Sequence, residues 1–129
     1  MRLDAVGVVA KDVRKSMAFY ALLGFTFPEI PDEHPMHVEA IRQDGASRLM
    51  IDDHGMIQEH SGIDAKPSNF SSFAILCDSP ADVDAAIERV RAAGHTIARE
   101  PWDAMWGQRY AVVIDPDGYG VDLFAPLTK

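Results

Sequence analysis

A single cysteine, Cys77, stands among 129 residues. No disulfide can form within the chain, and its cysteine usage points to no oxidising compartment. Long apolar runs are missing too, since none approaches the roughly twenty residues that a membrane-spanning helix needs. Met1-Arg2-Leu3-Asp4-Ala5-Val6 sets an acid where a signal peptide would be apolar, and the apolar run that follows stops at Lys11. A cytoplasmic protein with no membrane partner is expected. Positive charge is scarce: 12 Lys plus Arg stand against 20 Asp plus Glu, for a formal net charge of −8. Neither half holds a basic run that could track phosphates, so no nucleic-acid partner is expected. There is no glycine-rich phosphate loop, no nucleophile elbow and no Cys-x-x-Cys pair, and no cofactor is expected.

What is present is a repeat. Offset by seventy positions, Val13, Met17, Tyr20, Gly24 and Thr26 fall on Val83, Ile87, Val90, Gly94 and Thr96. Self-similarity at a fixed period marks a duplicated supersecondary unit. Module one opens with the strand-like Val6-Gly7-Val8-Val9-Ala10, then Asp12 as a helix cap, with Val13, Met17 and Tyr20 on one helical face. Gly24 closes that helix, and strands are predicted near Phe25–Ile30, His37–Arg42 and Ser47–Asp52. Module two repeats the order with a strand over Ser72–Cys77, the cap Ser79 ahead of Pro80, and a buried stripe of Val83, Ile87 and Val90. Further strands are predicted near His95–Arg99, Gln108–Ile114 and Tyr119–Phe124, the last two joined by the turn Asp115-Pro116-Asp117-Gly118.

The fold class expected is therefore α+β, with two tandem βαβββ modules. Because one helix covers only one face of each small sheet, they form a concave, partly open mixed sheet with helices on the outer face. With 47% hydrophobic residues, residues 1–129 read as a single domain: module one over 1–55, a linker over 56–69 within the polar stretch Ile51–Asn69, and module two over 70–129. Each half alone, at about sixty residues, would be only marginally stable.

The paired βαβββ order, the helix Ser16-Met17-Ala18-Phe19-Tyr20 with Leu23-Gly24-Phe25, and the ending Asp115-Pro116-Asp117-Gly118 with Val121-Asp122-Leu123-Phe124 resemble the glyoxalase, bleomycin-resistance and extradiol-dioxygenase superfamily, the vicinal oxygen chelate fold. Pro101-Trp102-Asp103-Ala104-Met105-Trp106-Gly107-Gln108-Arg109-Tyr110 and Ala125-Pro126-Leu127 are similar to the antibiotic-binding branch of mitomycin-resistance type. The resemblance implies metal-ligand positions on the first and last strand of each module, and these fall on Ala5, Met50, Ser72 and Asp122. Only Asp122 suits a hard cation, so the family's metal site reads as erased.

Two indoles four residues apart, Trp102 and Trp106, suit stacking on a planar ligand, although core or dimer-interface packing would also use them. Strand alternation sends Leu49, Ile51, Val121 and Leu123 to the helix side and Met50, Ser72, Asp122 and Phe124 into the concavity. Met50 fits a site that accepts several shapes. Asp122 would hold an amine or hydroxyl of a ligand, or pair with Arg48 or Arg109. Tyr110 and His37 complete the ligand-binding candidates. His37, Glu39 and Asp52 form an acid/base-capable set, whereas Asp53, His54 and His60 read as solvated and Cys77 as a small apolar filler. The expected function is a metal-free, homodimeric binder of planar aromatic or quinone-like antibiotics, acting by sequestration and without catalytic residues. The alternative is a metal-dependent lyase, isomerase or dioxygenase of the same superfamily with displaced ligands such as His37, Glu39 and Asp122. Further rivals are a metal-free enzyme using His37 or Asp122 as base, and a protein-interaction module.

Overall fold

Alternating apolar residues in Ala5–Ala10 and Arg48–Asp53 give each segment one face that must leave water. In the computed structural model, which describes residues 1–67 and 73–127, both segments are strands laid side by side. The chain divides into two compact units, Met1–Lys66 and Pro67–Lys129. The first comprises β1 (Ala5–Ala10), α1 (Val13–Leu22), β2 (His37–Glu39), β3 (Arg48–Asp53) and α2 (His54–Ser61). Its sheet runs β1-β3-β2, with β1 parallel and β2 antiparallel to β3. Val8, Ala10, Leu49 and Ile51 are buried on the face that α1 packs against.

The Asp12 carboxylate accepts from the Lys15 amide at 3.1 Å and so caps α1. Helix α1 buries Val13, Ser16, Phe19 and Tyr20. Met17, predicted on that stripe, is only half-buried, because Ser16 and Phe19 occupy the arc nearest the sheet. The Phe19 and Tyr20 rings meet edge to face with centroids 5.1 Å apart.

The second unit holds β4 (Phe73–Leu76), α3 (Pro80–Ala92), β5 (Ile97–Ala104), β6 (Gln108–Ile114) and β7 (Gly120–Pro126), in the sheet order β4-β7-β6-β5. As in the first unit, the first strand pairs parallel with the last. Helix α3 packs on β5, β6 and β7. It sets Val83, Ala86, Ile87 and Val90 toward the buried Ala111, Val113, Val121, Leu123 and Ala125. Both predicted helix ends hold: Gly24 and Gly94 take φ of 99° and 86°, a conformation costly for residues with a Cβ. Because α3 has 13 residues against 10 in α1, the seventy-position match holds at these glycines and not at the caps.

Three expectations are corrected. Phe25–Ile30 forms no strand; Pro28 and Pro31 remove donors and constrain the backbone, and one bond, Ile41 N–H to the Thr26 carbonyl at 2.7 Å, ties the segment to the chain after β2. Module two keeps the equivalent bond, Ile114 N–H to the Thr96 carbonyl at 3.0 Å. Second, the polar stretch read as linker contains β3's end and helix α2. Asp53 caps that helix by accepting from the Met56 amide at 3.0 Å, and Gly62 closes it. No residue of α2 is buried, so it carried no periodic signal. Third, β5 runs on to Ala104, past Pro101, with register shifts between Ile97 and Trp102. As the edge strand of its sheet, β5 tolerates both the proline and the bulge.

Candidate ligand-binding site

Strand alternation decides which side chains share the face of the second sheet turned away from α3. Residues 111 and 113 of β6 and 121, 123 and 125 of β7 are buried against the helix, so Tyr110, Val112, Asp122 and Phe124 take the opposite side. Tyr110 lies opposite Phe124 on one strand and opposite Trp102 on the other. Trp106 sits in the turn between β5 and β6, where the Gly107 amide donates to the Ala104 carbonyl at 2.9 Å. The four rings form one connected surface. Tyr110 is stacked on Phe124 with centroids 6.1 Å apart and planes 27° from parallel. The Trp102–Tyr110, Trp106–Tyr110 and Trp102–Trp106 centroids are 5.4, 5.5 and 6.1 Å apart. Trp106 donates its indole N–H to Gln108 Oε1 at 3.0 Å and still leaves 57% of its surface exposed.

A carboxylate sits within this surface. The Tyr110 hydroxyl donates to Asp122 Oδ2 at 2.5 Å. Burial, then this bond and the charge of Asp122, push the phenol up to about 12, so it remains a donor through the physiological range. Among the described residues Arg109, one of the two predicted partners, does not pair with Asp122. Arg109 alternates to the helix side, where it meets Asp84 at 3.0 Å and Asp103 at 3.1 Å. Arg48 meets Asp4 and Glu39, each at 2.8 Å.

The remaining candidates occupy the other unit or lie beyond description. In the first sheet, Met50, Asp52, His37 and Glu39 share the face away from the buried Leu49 and Ile51, as their registers require. His37 is clamped there: Nδ1 lies 2.5 Å from Asp52 Oδ1 and Nε2 lies 2.9 Å from Glu39 Oε2. The bond to Asp52, followed by that to Glu39, raises the imidazole's pKa. Glu39 is lowered in turn by His37 and Arg48. His54 lies 3.0 Å from Asp64, and His60 is exposed in the last turn of α2. Cys77 follows β4, half-buried, and burial pushes its thiol up. Ser72 lies outside the described residues.

One member of the aromatic face escaped the sequence reading. The Arg99 guanidinium lies 3.9 Å from the Trp102 ring centroid. Residues three apart on a regular strand point to opposite faces, and the register shifts of β5 bring these two together. Pro101 between them was the available signal for that irregularity.

A chain with this fold, duplicated around parallel first and last strands, matches the Glyoxalase/Bleomycin resistance protein/Dioxygenase superfamily over residues 2–123 and belongs to it. It is 29% identical over 128 residues to an uncharacterized protein of Mycobacterium bovis, covering 95% of this chain and 82% of that protein. A crystal structure of a glyoxalase/bleomycin resistance protein/dioxygenase from Nocardioides is 26% identical, with a TM-score of 0.73 over 99% of this chain and 85% of that one. A family enzyme from Burkholderia phytofirmans shares the fold at a TM-score of 0.81 and 20% identity, over 98% of this chain and all (100%) of the other.

The family resemblance implies a metal, and the donor set here does not fit one. On β1 and β3, Ala5 offers no donor and Met50 only a thioether, while Asp122 is a single carboxylate already bonded to a phenol. Among the described residues, no group of three or more His, Cys, Asp or Glu is arranged to hold a metal ion. His37, a member of the alternative ligand set, has both ring nitrogens engaged by carboxylates, those of Asp52 and Glu39.

Proposed function

We infer that this protein is a cytoplasmic, homodimeric, metal-free binder of planar aromatic or quinone-type small molecules, of the drug-sequestering kind found in the mitomycin-resistance branch. The observation that carries the reading is the four-ring surface of Trp102, Trp106, Tyr110 and Phe124 with Asp122 among the rings. A tryptophan left 57% exposed at the end of a sheet is poor packing and good stacking surface. Aromatic contacts contribute about 0.5–1.5 kcal/mol each beyond the area they bury. Added to apolar burial, two of them bring a planar ligand into the range of about −8 kcal/mol, a micromolar dissociation constant, that sequestration demands. The donor set supports a role without metal for the same residues. His37 is fixed between two carboxylates on the other sheet.

The reading is tested by titrating a panel of planar and quinone antibiotics against the intrinsic tryptophan fluorescence and the melting temperature. Micromolar binding by at least one compound is expected. Trp106→Ala is expected to weaken it about tenfold or more, within the cost of losing a stacking anchor, while size-exclusion chromatography still reports a dimer. A panel that neither quenches nor stabilises overturns the binding role. A Trp106→Ala protein that falls to monomers assigns this indole to an interface instead.

A further inference from the structure

Arg99 differs from the ion-paired guanidinium groups of the chain in what holds it: an indole face rather than a carboxylate. Arg42, Arg48, Arg91 and Arg109 are each paired with a carboxylate. Arg99 is exposed and, among the described residues, forms no ion pair, in a chain with 20 acidic residues to choose from. Its two acidic sequence neighbours are already engaged, Glu100 with Arg91 and Asp103 with Arg109. What Arg99 does have is the face of Trp102, 3.9 Å from its ring centroid. An indole quadrupole attracts the cation without using up the guanidinium N–H donors.

The position of the guanidinium adds a second observation. Arg99 lies opposite Val112, and Val112 lies opposite Asp122. The guanidinium is therefore on the same sheet face as the rings, at the β5 edge, with Trp102 and Tyr110 continuing the surface inward. Asp122 is two strands away, about 10 Å by strand spacing, which is near the screening length at physiological salt. Its repulsion of an anion at the β5 edge is thereby weakened.

We propose that Arg99, held over the Trp102 ring, is the anion-recognition element of the aromatic surface, and that the ligands of this protein are planar aromatic compounds carrying a carboxylate or similar oxyanion at one end. The ring system stacks on the Trp106 and Tyr110 side while the acid takes two parallel N–H donors of the guanidinium. A paired oxyanion is the geometry a guanidinium recognises and a lysine ammonium does not reproduce. The inference rests on the binding role above and adds a chemical class to it.

Calorimetric titration with 2-naphthoate and its neutral counterpart 2-naphthamide separates the two claims. The acid is expected to bind the wild-type protein about tenfold tighter than the amide, the scale of one charge-assisted pair. Arg99→Met is expected to bring the acid down to the amide's affinity and leave the amide unchanged, and Arg99→Lys is expected to restore only part of the preference. Equal affinity for acid and amide in the wild-type protein overturns the anion role and leaves the binding role standing. So does an Arg99→Met protein that loses both ligands alike, because Arg99 then serves only to position Trp102. If neither probe binds, the anion role is overturned, and the binding role stands or falls on the antibiotic titration.

Discussion

His37 lies between Asp52 and Glu39, at 2.5 and 2.9 Å, on a strand only three residues long. Both neighbours favour the imidazolium, with Asp52 the larger influence. A raised folded-state pKa means that this clamp stabilises the fold fully below the ordinary value of about 6.5. The contribution fades as pH climbs through the raised value. With 43% of its side chain exposed, water screens the clamp, and its effect on stability is small. The titration itself is the sharper measurement. Histidine resonances followed by NMR are expected to give His37 a midpoint above 6.5, and Asp52→Asn to bring that midpoint down. A wild-type midpoint at or below 6.5 removes the clamp.

Helices α1 and α3 cover equivalent sheets by different means. The covering stripe of α3 is wholly apolar: Val83, Ala86, Ile87 and Val90. In α1 the corresponding arc includes Ser16, which is fully buried and whose hydroxyl has no hydrogen-bond partner among the described residues. A buried hydroxyl without a partner costs about 1–3 kcal/mol, and alanine is also the better helix former. Ser16→Ala is therefore expected to stabilise the protein by about 1 kcal/mol, read as a higher urea midpoint at unchanged m-value. A lower midpoint means that the hydroxyl is satisfied and that α1 depends on it. Helix α2 illustrates the opposite case: it has caps at both ends, Asp53 and Gly62, and no fully buried residue. Its signals were local rather than periodic, and a reading based on burial passed over them.

At the scale of the whole molecule, the poor fit between the described donor set and a metal ion has the widest consequences. Protein purified without chelator is expected to show no stoichiometric zinc, iron or manganese by elemental analysis. A stoichiometric ion would restore the metal-dependent alternative of the same superfamily. No helix among the described residues is long and apolar enough to cross a membrane. Much of the architecture was written in the order of residues. The duplicated strand-helix-strand pattern, the helix ends at Gly24 and Gly94 and the split between Leu49 or Leu123 and Met50 or Asp122 all follow from burial. A side chain that must leave water imposes a period on its neighbours, and that period survives in one dimension. Pairings across strands leave no such trace. That Tyr110 rather than an arginine meets Asp122, that Arg109 turns toward Asp84 and that a bulge lays Arg99 on Trp102 were decided by register. A shift of one residue exchanges the two faces of a strand, and only the folded sheet sets that shift.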